Sequence, residues 1–154
     1  MKTTIRIYKI VVLLLISILT TWQAHCQTEV ICEEIKFLCQ GSKATEVIIK
    51  DEQSYKAFQN IHKYNHPVSS CSDYKYPEID FENFVLVGYI DMVGGCHSPS
   101  YSYRAIQEDN TVTIHVEIIR YGTCKVGHIV RFWLLIPKSS SDMEVIFEHT
   151  VTYN

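Results

Sequence analysis

Phe84-Val85-Leu86-Val87-Gly88-Tyr89-Ile90 is nearly continuous in apolar residues. A run this short, rich in β-branched and aromatic side chains, reads as a central strand covered on both faces. A strand with one wet face would alternate instead. Ile129 to Ile136 is a second buried run, with Phe132 and Trp133 inside it and Pro137 closing it. Between the two, Val112, Ile114, Val116 and Ile118 face one way and Thr113, His115 and Glu117 the other, the pattern of a half-buried strand. Tyr101 to Ile106 is a weaker, more polar run, and Glu108-Asp109-Asn110 supplies turn residues after it. Beyond the Ser-rich turn Ser139 to Ser141, Met143, Val145 and Phe147 alternate with Glu144 and Glu148.

Upstream, Ala44 to Lys50 is a short β-rich run, and Asp51 suits a helix N-cap with Glu52 in the first turn. Tyr55, Phe58 and Ile61 recur at helical spacing, and the helix must end before Pro67. A loop rich in Ser, Cys and Tyr (Val68 to Tyr76) leads to Pro77-Glu78-Ile79-Asp80-Phe81. One early helix and a string of hairpins predict an α+β domain: an N-terminal helix packed on an antiparallel β-sheet or small β-sandwich. No internal repeat or low-complexity stretch interrupts it.

Lys2, Arg6 and Lys9 precede the apolar run Ile10 to Leu19, and no acidic residue occurs before Glu29. The run is too short to span a bilayer, which takes roughly twenty residues. A basic start, a short apolar core and a small-residue exit read as a secretory signal peptide over residues 1–26. Ala24-His25-Cys26 places cleavage before Gln27. The competing readings are a retained signal anchor and a lipid anchor on Cys26, the latter poorly served by His25 just before it.

Cleavage leaves residues 27–154 as a single domain and removes three of the 14 basic residues but none of the 17 acidic ones. The resulting acidic balance, without a basic stripe, argues against nucleic acid and against an anionic membrane surface as partners. The six glycines form no phosphate-binding loop, and the apolar content serves one core without a cofactor.

The order of motifs resembles the PrcB-like C-terminal domain of secreted bacterial proteins. The matching pieces are Lys50-Asp51-Glu52 opening a helix, Ile79-Asp80-Phe81, Phe84–Ile90, Gly94-Gly95, Val112–Ile118 and Phe132–Pro137. They span about residues 45–138. The resemblance implies an extracytoplasmic β-rich protein-interaction module linked to protease complexes, without catalytic residues, in a cysteine-bearing form of the Bacteroidetes type. The family's loop carries an aromatic residue after the paired glycines, where this chain has Cys96.

Without Cys26, five cysteines remain, so an oxidising compartment leaves one unpaired or intermolecular. Cys96 in Gly94-Gly95-Cys96 and Cys124 in Gly122-Thr123-Cys124 each sit where a strand-like run ends and a loop begins. The two runs should be neighbours, which pairs Cys96 with Cys124. Cys39–Cys71 would staple the N-terminal segment to the loop before the sheet, and Cys32–Cys39 is the alternative.

Cys96, His97, Cys124 and His128 are also the inventory of a zinc site, but adjacent strand residues point to opposite faces and oxidation competes for the thiols. A cysteine- or metal-dependent hydrolase using Cys96, His97 and His128 is the competing function. His62 and His66 read as solvated surface residues, and so do Asp80 and Glu82. Tyr74, Tyr76, Tyr101 and Tyr103 lie in or beside the loops around Gly94–Tyr101, and tyrosine suits recognition surfaces. The sequence therefore predicts a secreted or periplasmic non-catalytic module with a protein partner. Its binding loop would present Met92, Val93, His97, Ser98, Pro99 and Tyr101.

Overall fold

A computed structural model describes residues 27–37, 45–65 and 74–154, with side chains omitted for 62–65. The leader 1–26, the lipid-anchor candidate Cys26 and the Cys39–Cys71 pair lie outside the described residues, as do the side chains of His62 and His66. The strands are β1 (Thr28–Val30), β2 (Glu33–Glu34), β3 (Thr45–Ile49), β4 (Phe84–Glu108), β5 (Thr111–Pro137) and β6 (Glu144–Tyr153), and α1 is Glu52–Asn65. They form one six-stranded sheet in which β4 and β5 are the central hairpin. All pairings are antiparallel except β5 with β6, which is parallel.

The expected α+β class is corrected by this arrangement. Strand accounts for most of the described chain, with 25 residues in β4 and 27 in β5. The one helix among the described residues is 14 residues long and covers part of one face of a sheet that makes up most of the fold. The early helical signal was real, but the polar stretches between the apolar runs are strand too.

The hairpin is doubled over on itself. Tyr89 pairs with Phe132 in the near half and Tyr103 with Val116 in the far half. On a straight strand Tyr89 and Tyr103 would lie about 45 Å apart. Instead the Tyr103 and Phe132 ring centroids stand 4.9 Å apart, so the halves face each other. Val85, Val87, Val130, Leu134 and Ile136 of the near half share one core with Ala105, Val112, Ile114, Val116 and Ile118 of the far half.

One side of the folded sheet is closed by a short segment. Val30 pairs with Ala105 of the far half, and Glu33, just beyond it, pairs with Leu135 of the near half. On the other side β3 borders the near half and β6 the far half.

The near half has a second buried face, which explains its uninterrupted apolar runs. Leu86, Ile90, Trp133 and Leu135 lie there under Phe37, Ile79 and the α1 residues Tyr55 and Phe58. Asp51 caps α1 by accepting from the Ser54 backbone N–H at 2.7 Å and from its hydroxyl at 2.9 Å. Those two bonds hold the Asp51 carboxyl below its ordinary value. Among the described residues no helix is long and apolar enough to cross a membrane.

Candidate functional site

The point where the hairpin doubles over lies inside β4 and β5, between Gly94 and Ser100 on one strand and Ile119 and Gly127 on the other. Gly95 faces Val126 and His97 faces Tyr121, so Gly122 to Lys125 bulge out opposite Cys96 alone. Gly122 makes this excursion with φ at 72°, the left-handed region that favours glycine. A Cβ on it would lie 2.6 Å from Cys96 Sγ.

The Cys96–Cys124 disulfide ties the bulge back across the strand pair, with Cα atoms 4.7 Å apart. The Cys124 N–H also donates to Cys96 Sγ at 3.2 Å. The pairing is therefore as the sequence predicts. Its setting is corrected: the cysteines sit within a bent pair of strands and not in loops that follow strand ends.

The rest of the bend is held by polar contacts. Arg120 donates through Nε to the Gly94 carbonyl and through Nη1 to Tyr153 Oη at 2.9 Å, with its guanidinium 4.6 Å from the Tyr153 ring centroid. Backbone bonds from Asn154 to Arg120 and from Gly122 to Asn154 fix the end of β6 to the base of the bulge. Ser100 Oγ and the Tyr121 hydroxyl are 3.0 Å apart.

The predicted contact residues divide. Met92 is 58% exposed and stands directly opposite Ile129, itself 44% exposed. His97 and Ser98 are exposed on the bend and Pro99 is half-buried there. Val93 is a correction: it points into the shared core and presents nothing to a partner. Tyr101, 40% exposed, faces the core side, where its ring lies 5.8 Å from that of Phe132 and its hydroxyl donates to the Arg131 carbonyl. Burial raises the Tyr101 hydroxyl above its ordinary pKa.

Tyr103 is a half-buried strand residue in the same stack. Tyr74 and Tyr76 do not belong to this region. They pack with the cluster under α1, and the Tyr74 hydroxyl donates to the Lys36 carbonyl. Ile129 was missed as a contact residue because it opens a run read as wholly buried. Its pairing with Met92 depends on a register that the sequence does not print.

With both sulfurs bonded, neither Cys96 nor Cys124 offers a thiolate for nucleophilic attack or for zinc. His128 Nε2 lies 3.2 Å from the Gly95 carbonyl, so the ring is engaged with backbone. No three His, Cys, Asp or Glu side chains converge among the described residues. Cys32 is a free cysteine, so the Cys32–Cys39 alternative is set aside. Its thiol is half-buried against the core, and burial pushes it up to about 11. Asp80, expected to be a solvated flank residue, accepts from Asn83 Nδ2 and the Glu82 N–H in the turn before β4.

No family model, no curated protein and no solved structure matches the chain.

Proposed function

We propose that this chain is a non-catalytic protein-interaction module of the PrcB-like kind, working outside the cytoplasm with a partner from a protease complex. The observation that carries the reading is the exposed Met92–Ile129 pair, two rungs from the stapled bend. Two large apolar side chains opposite each other leave in water a surface that a partner would cover, at about 25 cal/mol per Å² of apolar area. Methionine adapts its shape to a partner at little cost. The staple and the Arg120 contacts fix the backbone beneath the pair, so binding orders little that is not already ordered. An exposed disulfide is also chemistry of an oxidising compartment, in keeping with residues 1–26 as a cleaved leader.

The test is capture from the producing organism's envelope fraction, comparing the unaltered protein with Met92→Ser/Ile129→Ser. Protease-complex subunits should enrich on the first and fall to background on the second. Equal enrichment on both, or none on either, overturns the reading. Alkylation at neutral pH before and after reduction checks the enzymatic alternative on the same sample. Cys96 and Cys124 should label only after reduction, and rapid labelling of Cys96 beforehand would turn the reading towards a nucleophile.

A further inference from the structure

The crest of the bulge is exposed from Gly122 to Gly127, and Cys124 stands within it. Cys96, on the facing strand, is half-buried. Its sulfur lies against the bulge backbone: the Cβ position of Gly122 is 2.6 Å away, and the Cys124 N–H donates to it at 3.2 Å. The two ends of the disulfide therefore differ. Cys124 is open to an attacking group from solvent, while Cys96 Sγ is screened and already holds a backbone donor.

The charge along these strands is one-sided. No acidic residue occurs from Met92 to Gln107 or from Ile118 to Ser141, although the whole chain carries 17 acidic against 14 basic residues. Strand pairing brings the two stretches together at the bend, with His97, Arg120, Lys125 and His128 among them. Arg120 Nε donates to the Gly94 carbonyl, close before Cys96 in the chain. Such a surface draws in a thiolate, and a cysteine beside cations carries negative charge more readily. Exposure of the attacked sulfur and a stabilised leaving thiolate are the two conditions that speed thiol–disulfide exchange.

We propose that the Cys96–Cys124 bond is a site of thiol–disulfide exchange with a dithiol protein, entered at Cys124. A thiolate of that partner attacks Cys124 Sγ and forms a mixed disulfide. The bond to Cys96 breaks and its electron pair leaves on Cys96 Sγ, where the Cys124 N–H stabilises the new anion. The partner's second thiol then attacks the partner sulfur of the mixed disulfide and releases Cys124. The dithiol ends as a disulfide, its two protons end on Cys96 and Cys124, and this chain takes up the two electrons once per molecule. Gly122 to Lys125, which face Cys96 alone, are then no longer tied to it.

The probe is reduced glutathione at neutral pH on the folded protein, followed by iodoacetamide and mass mapping of the two cysteine-bearing peptides. Glutathione should sit on Cys124 and the alkyl group on Cys96, with the opposite arrangement about tenfold rarer, or ~1.4 kcal/mol apart in barrier. Dithiothreitol should then open the bond completely. Hydrogen exchange should quicken across residues 119–127 while residues 84–90 keep their protection. Lys125→Glu, at an exposed position, should slow attack by anionic glutathione and not by cationic cysteamine. Glutathione chiefly on Cys96, equal amounts on both, or exchange seen only in urea-unfolded protein each overturns the proposal. So does a glutathione rate unchanged by Lys125→Glu, or a loss of protection throughout the sheet on reduction, which would mean that the bond opens only by global unfolding. Partner capture on the Met92–Ile129 pair can fail with all of these results intact, because none of them uses that surface.

Discussion

A Cβ on Gly88 would lie 2.4 Å from the Trp133 ring, so the indole occupies the place where a side chain would stand. Trp133 cannot yield, being buried between β4 and the rings of Phe37 at 4.8 Å and Phe58 at 5.1 Å. Gly88→Ala should therefore cost about 1–3 kcal/mol as overpacking, measured as a lower urea midpoint with an unchanged slope. Gly127→Ala is the control. Its Cβ meets only the flexible Met92 side chain, at 3.1 Å from Sδ, and its effect should stay within about 0.5 kcal/mol. Both residues are glycines inside strands, and nothing next to either in sequence separates them. The difference comes from what stands opposite: Trp133 across from Gly88, and the Met92 thioether reaching over Gly127 from a neighbouring strand.

The bulge at Gly122 to Lys125 and the staple across it act as one device at the scale of the element. Closing the 28-residue separation between Cys96 and Cys124 is worth about 3–4 kcal/mol by chain entropy. Cys96→Ser and Cys124→Ser should each lower the unfolding free energy, read from denaturant titration, by an equal amount of up to that size, and the double variant should add nothing further. Unequal single effects would mean that one of the two sulfurs has another partner. The strand on either side of the staple was legible wherever a periodicity marked it: the alternation from Val112 to Ile118 and the two-faced run Phe84–Ile90 stand as read, while the second run is buried on both faces only from Phe132 to Ile136, with Ile129 and Arg131 exposed. The continuation of β4 and β5 through the bend was not legible. Gly94-Gly95, Pro99, Gly122 and Gly127 are turn-type residues, and their ordinary meaning is the end of a strand. Here Gly94 and Gly127 face each other in register, the bulges fall between Gly95 and Ser100, and Gly122 alone takes the left-handed backbone, so two long strands bend without parting, a choice made by tertiary pairing over local preference.

Face-to-face stacking of the two sheet halves is a property of the whole molecule that no segment carries alone. Each half exposes an apolar inner face that the other must cover, so neither is stable without its counterpart. The sequence marked which side chains are apolar but not that both sets meet, because Tyr103 and Phe132 belong to different rungs of the same ladder. Phe132 is the hinge of that contact, with Tyr89 of its own half at 5.4 Å and Tyr101 and Tyr103 of the other at 5.8 and 4.9 Å. Phe132→Ala should cost about 3–5 kcal/mol. The loss should appear as one transition, with near-UV and far-UV signals moving together, since emptying the interface weakens both halves at once. A double-mutant cycle with Tyr103→Ala isolates the contact between the halves from the burial of either ring. A coupling of about 0.5–1.5 kcal/mol is expected for a stacked pair that spans the fold. Additive effects within error would place the two rings apart, and the hairpin would then have to be straighter than the doubled form in which β3 and β6 border the same side of the sheet.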